Sequence, residues 1–561
     1  MSNFWKDFSF PSPIDDLLPN PECTLESLLD VDDVIRDTRS HKQILVDFLA
    51  KPEHVEKLFN YVTKDPAPDA SDNVKFRYPM IACELLVAEV TEIEKLIFGE
   101  PEKYLGALFD FWKPAKVNIP LATVVSHTMS CLLVSNNVEM MNYFKSRPEI
   151  LDWLVGHVGV GTVKDHIGRM LNLDGETTIA AVNWLISNNI FGKYIAKFAP
   201  DSRAVHGDVA DAIWDLLELS HLDSPLFRSF YDPENLSAMF EWMLTENNRS
   251  ALQHGLAVVN RVVEMIAAAE HSPTHEAPAE DTMPAIVKVV LDYLPRLLPI
   301  LNEDYPTTFT LSAGKPIKPF GAYRLKLIQL CDVLLMLEYD AVDSALMQHN
   351  FFPTIVDLFV AYEHNNVLHR MVEGIAMRIL TGTNDDMLLA LFREPTNFHL
   401  RLINAHAEKT SPEGIARSPA ITPYILNLCE KINEIALTKA PIADLLKACD
   451  PWMAFEKDVL APHRIEAAKV LGGVPPERMG GYGHEGAGFS EVLAHDVDDD
   501  DDDDDDGSNS DDGDEEDEDE EDDLDLPDDT DMSSDSDYRD YDSSQSEVLL
   551  SKLEIEELLE G

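Results

Sequence analysis

At 561 residues and 45% hydrophobic content the chain has the apolar material for a large buried core. Asp and Glu outnumber Lys and Arg by 103 to 44, a formal net charge of −59. A surface this acidic repels phosphate backbones and anionic lipid, whose binding runs through Lys and Arg, so direct nucleic-acid and membrane partners are excluded as expectations. Six cysteines, far apart and without a CxxC pair, fit reduced buried thiols better than a disulfide framework or a zinc site. The opening MSNFWKDFSFPSPIDD lacks the basic and apolar regions of a secretory signal, and no apolar run reaches the ~18 residues of a transmembrane helix. The expected location is the cytoplasm; no strong basic import signal is present, so entry to the nucleus would depend on a partner's signal.

In chain order, an N-terminal arm (about 1–24) precedes a body in which helical periodicity dominates from about residue 25 to 470. Four segments start Pro-Glu and then place apolar residues at +3, +6, +7 and +10. After Pro52 these are Val55, Leu58, Phe59 and Val62; after Pro101, Tyr104, Ala107, Leu108 and Phe111. After Pro148 they are Leu151, Leu154, Val155 and Val158; after Pro233, Leu236, Met239, Phe240 and Met243. Proline suits the first helical position, where its missing N–H has no intrahelical partner, and glutamate in the first turn faces the positive end of the helix dipole. The four starts are spaced by 49, 47 and 85 residues, the last near two steps of the about 40–47 residues typical of HEAT and armadillo repeats. Pro353 opens a partial fifth copy, with Val356 and Phe359 in place but Glu363 at +10.

Between these starts, Leu121, Val124, Val125, Thr128 and Leu132 follow one helix face, as do Leu327, Leu330, Cys331, Leu334 and Leu335. Leu325, Ile328 and Val333 widen the second face, as in a helix packed on more than one neighbour. GHVGVGTVKD (156–165) lacks the Gly-Lys-Ser/Thr ending of a phosphate loop and reads as a tight turn between helices. Segments 271–284 and 307–319 read as long loops. The body, 1–471, gives way to a Gly/Pro linker at 472–495 and then to an acidic tail at 496–545. From Asp496 to Asp542 stand 30 acidic residues and one base, Arg539, a composition that cannot bury enough apolar surface to offset its ordering entropy. Residues 546–561 regain helical spacing and are a candidate short amphipathic helix. The expected fold is all-α: an armadillo/HEAT-like helical-repeat solenoid with a disordered acidic C-terminal tail.

No catalytic residues, cofactor site or metal site is expected. HExxH and GxSxG are missing, and His364 and His369, five apart, do not stack on one helix face as an i, i+4 metal pair would. Two polar groups in the body are candidate partner contacts: Tyr323 with Arg324, and Asn365 and Asn366 with His369. Arg324 suits an acidic group on a partner, and the asparagines suit exposed backbone in a groove. The competing reading is internal, with Asn365 and Asn366 ending one helix and capping the next and Arg324 bridging neighbouring repeats. In the tail, Ser508, Ser534 and Ser544 each have an acidic residue at +3 and are candidate sites for acidophilic kinases.

Taken in order, several segments resemble the SAPS-domain family of regulatory subunits of protein phosphatase 6 type Ser/Thr phosphatases. They include SPIDDLLPNPECTLESLLDVDDVIRDTRSHKQILVDFL (12–49), KFRYPMIACELLVAEV (75–90), WLVGHVGVGTVKDHIGRML (153–171) and HGDVADAIWDLLEL (206–219). SALQHGLAVVNRVVEMI (250–266), PFGAYRLKLIQLCDVLL (319–335) and FPTIVDLFVAYEHNNVLHRMVEGI (352–375) follow. PFGAYRLKL and EHNNVLH are the most specific, whereas 172–205 matches less well and 271–284 reads as an insertion. The resemblance implies a helical solenoid that docks a phosphatase catalytic subunit and recruits further subunits, ankyrin-repeat proteins being typical third partners. The acidic tail keeps a second reading open, an armadillo-like carrier or chaperone of basic proteins.

Overall fold

The computed structural model describes residues 12–270, 283–303, 308–310, 316–409 and 420–469. The chain divides after Val474 into two units, and all described residues belong to the first. That unit is an all-α armadillo-type solenoid of three-helix repeats. One repeat is Asn137–Ser146, Glu149–Gly156 and Gly161–Arg169; another is Asp340–Gln348, Phe351–Ala361 and Asn366–Thr381.

The third helices form a continuous layer in which each packs on the next: Tyr78–Leu86, Ile119–Ser135, Gly161–Arg169, His206–Glu218, Arg249–Glu270, Ala322–Met336, Asn366–Thr381 and Thr422–Thr438. The middle helices form a second series: Pro52–Thr63, Pro101–Asp110, Glu149–Gly156, Ile190–Ile195, Pro233–Met243, Ala285–Leu297, Phe351–Ala361, Phe398–Lys409 and Asp450–Phe455. Aromatic rings join many of these neighbours, with Phe59 against Tyr104 at 5.1 Å and Phe240 stacked on Tyr293 at 4.8 Å between ring centres.

The Pro-Glu series therefore marks the middle helices. Val55, Leu58, Phe59 and Val62 are all buried, as are Leu236, Met239, Phe240 and Met243. The double step between 148 and 233 hides the helix Ile190–Ile195, which starts on a different signal. Asn189 stands in the left-handed region at φ 49° and its side chain caps the helix by accepting from the Gly192 N–H. Left-handed Asn350 (φ 54°) and Asn397 (φ 44°) likewise precede Phe351–Ala361 and Phe398–Lys409. Asparagine tolerates that conformation better than other side-chain-bearing residues. It also corrects the partial copy at Pro353, since that helix begins two residues earlier, at Phe351.

Other expectations are refined. The N-terminal arm is packed from residue 12 onward, because Ser12 caps a helix, Pro13–Leu17, whose Ile14 is fully buried. The turn at 156–165 joins Glu149–Gly156 to Gly161–Arg169 as read. Within 307–319, Phe309 and Thr310 pair antiparallel with Ile317 and Pro316, so a two-residue ladder stands where only a loop was expected. All six cysteines are free thiols. No single described helix is long and apolar enough to cross a membrane. Residues 271–282, the linker, the acidic tail, its serines Ser508, Ser534 and Ser544, and 546–561 lie outside the described residues.

Candidate partner-binding cleft

Each polar candidate has a definite place. Arg324, 1% exposed, stands near the start of Ala322–Met336 without a carboxylate partner among the described residues. Its Nε donates to the Phe320 carbonyl at 2.6 Å, and Nη1 donates to the Leu301 and Glu303 carbonyls at 3.0 and 3.2 Å. Nη2 donates to the Pro319 carbonyl at 3.3 Å and the Tyr362 hydroxyl at 3.0 Å. The guanidinium also lies 4.3 Å from the Phe320 ring centre and 5.4 Å from that of Tyr362. One side chain thus fastens the end of the turn Leu298–Asn302, the entry to its own helix, and the residue closing Phe351–Ala361.

Asn365 caps Asn366–Thr381 by accepting from the Leu368 N–H at 3.0 Å. His369 is fully buried, with Nε2 3.2 Å from the Phe359 carbonyl and its ring against Phe359 and Tyr424. Burial lowers its pKa, partly opposed by hydrogen bonds to backbone carbonyls. Tyr323 is 8% exposed and packs under Arg249, while Asn366 is exposed. Burial corrects the expectation that Tyr323, Arg324 and His369 present themselves to a partner: a group held inside the chain positions helices and cannot reach another surface. Replacing Asn365 by alanine removes the cap and is expected to lower stability by about 1 kcal/mol, read from the denaturation midpoint.

The helix that Asn365 and His369 fix in place forms one wall of a cleft of about 1580 Å³. Asn366–Thr381 contributes Met371, Gly374 and Met377; Thr422–Thr438 contributes Asn427, Glu430, Lys431 and Leu437. The last repeat closes it with Lys447, Trp452, Met453, Glu456 and Arg464. Trp452 is buried and its indole N–H donates to Asn433 at 3.2 Å, which in turn donates to Glu456. Glu456 opens a single π-helical turn, Glu456–Leu460, a geometry that often marks functional positions.

Most charges in the cleft are paired among themselves, Lys447 excepted among the described residues. Arg464 reaches both Glu430 and Glu456 at 2.6 Å, and these carboxylates hold its pKa above the ordinary arginine value. Arg370 meets Glu373 at 3.0 Å, Lys431 meets Glu434 at 2.9 Å and Arg378 meets Asp332 at 3.2 Å. Apolar surface remains open, with Leu437 86% and Met453 48% exposed. Sequence reasoning passed over Gly374, Leu437, Lys447 and Met453. Only the three-dimensional meeting of the last repeats gathers them, although an apolar residue on the polar side of the Thr422–Thr438 stripe was a usable signal for Leu437. No group of three His, Cys, Asp or Glu side chains is arranged to hold a metal ion among the described residues.

Stacked three-helix repeats with a side-chain-lined cleft define a helical-repeat protein of the armadillo type. The family described as SAPS, SIT4 phosphatase-associated protein, matches residues 129–467, which include the whole cleft, and the chain belongs to that family. It is 26% identical over 410 residues to serine/threonine-protein phosphatase 6 regulatory subunit 3-B of Xenopus laevis, covering 68% of this chain and 48% of that one. It is 25% identical over 412 residues to serine/threonine-protein phosphatase 6 regulatory subunit 1 of Homo sapiens, covering 67% and 47%. The chain therefore spans about half the length of the curated relatives it matches.

Proposed function

We propose that this chain is a non-catalytic regulatory and scaffold subunit that binds a phosphatase 6-type Ser/Thr catalytic subunit and directs it to substrates. The observation that carries the reading is the family match across residues 129–467, supported by relatives named as phosphatase 6 regulatory subunits. Hydrolysis belongs to the partner's active centre. The solenoid supplies orientation and effective concentration, which raise apparent affinity by about 10²–10⁴ without new chemistry. An ankyrin-repeat protein is the third subunit of this reading, the complex works in the cytoplasm, and Ser508, Ser534 and Ser544 are its phosphorylation sites. The acidic character of the chain favours partners with basic patches, chiefly by speeding encounter.

Affinity purification of the full chain and of a form ending at residue 470, from native cells, tests this. Both are expected to retain a near-stoichiometric Ser/Thr phosphatase with measurable activity. Histones or other basic proteins recovered only with the full chain, and no phosphatase with either form, would favour the carrier reading instead.

A further inference from the structure

We propose that the cleft receives an apolar segment of the catalytic subunit, seated over Gly374 and carrying a carboxylate opposite Lys447; the inference rests on the functional reading above. Gly374 lies in the middle of Asn366–Thr381, where glycine weakens a helix relative to alanine. Mid-helix Gly255, by contrast, answers to a neighbour in the chain: a Cβ there would fall 2.6 Å from the Met243 sulfur. A Cβ on Gly374 would meet nothing within 4 Å, and its backbone does not adopt a positive φ. Nothing among the described residues calls for glycine at this position, yet it lines the cleft and leaves room for a close approach from outside.

The surroundings specify what approaches. Met371, Met377 and Met453 offer adaptable apolar lining, and Leu437 stands open beside them. Because the carboxylates Glu373, Glu430, Glu434 and Glu456 already face cations of the chain, a strongly charged ligand would have to break existing pairs. Lys447 is the cleft cation with no ion-pair partner among the described residues, so the complementary segment is apolar with one acidic group.

The test measures binding of the purified catalytic subunit to the full chain and to its Gly374→Ala, Gly374→Leu and Lys447→Glu variants. Gly374→Ala is expected to raise the thermal midpoint of the free chain while weakening binding, a combination that misfolding cannot produce. Gly374→Leu is expected to weaken binding by at least about tenfold and Lys447→Glu by several-fold. Unchanged affinity in Gly374→Leu and Lys447→Glu, with the wild type binding, overturns the cleft assignment and leaves the functional reading intact. A wild-type chain that fails to bind the catalytic subunit overturns the functional reading itself. Hydrogen-exchange protection of the cleft in the free chain, unchanged by the catalytic subunit, means that another occupant fills it and also overturns the assignment.

Discussion

Replacing Arg324 by alanine is expected to destabilise the solenoid by about 3–5 kcal/mol, seen as a fall in the denaturant midpoint. The change strips donors from the buried carbonyls of Leu301 and Phe320, from the half-buried ones of Glu303 and Pro319 and from the Tyr362 hydroxyl. A buried acceptor left unpaired costs about 1–3 kcal/mol, and water entering the vacated space recovers part of the total. Arg324→Lys restores less than half, because an ammonium is a point donor and cannot span the fork the guanidinium fills. The same variant separates two roles. A contact residue would lose partner binding at unchanged stability, whereas a helix-fastening residue loses stability first.

Acid is expected to weaken the fold through His166. The ring is fully buried, with Nδ1 3.1 Å from the Ser130 hydroxyl and Nε2 without a hydrogen-bond partner among the described residues. Burial, helped by the positive charge of Arg169, lowers its pKa from 6.5 to about 3. Below pH 6.5 the unfolded chain takes up a proton that the folded chain refuses, so the contribution of this residue is whole above that pH. It is lost as pH falls toward about 3, at up to about 1.4 kcal/mol per pH unit. Asp165, Asp332 and Asp343, whose pKa values are raised by burial, work in the opposite direction over the acid range. The measurement is therefore a difference in slopes: stability of the wild type and of His166→Gln between pH 7 and 4.5. The variant is expected to show a shallower loss, by about 3 kcal/mol across that span. Equal slopes would mean that His166 is hydrated or charged in the fold.

The repeat was legible wherever its start signal was covalent and local. Proline at a first helical turn announces itself in the sequence, so the helices beginning at Pro52, Pro101 and Pro233 were readable to the residue. The helix at Ile190 was not, because left-handed Asn189 does the same work with a residue that is common in ordinary loops. Of the paired readings of Arg324 and the Asn365–His369 segment, sequence offered no way to decide between inside and outside. The decision depends on where Leu301 and Glu303 place their carbonyls, about 20 residues away across a loop, and periodicity carries no information about that. The cleft was invisible for a related reason: Gly374, Leu437, Lys447 and Met453 come from four helices of three repeats, none with a motif of its own.

The third-helix layer gives the molecule a mechanical character. Each interior third helix packs on the layer members just before and just after it, so an interior repeat is held across two interfaces and a terminal one across a single interface. Protease, heat or a steady pull should accordingly erode the stack from its ends rather than dissolve it at once. The cleft is assembled from the last described repeats. A segment seated there clasps Asn366–Thr381, Thr422–Thr438 and the closing helices together, and by mass action it steadies these repeats against unravelling for as long as it stays bound.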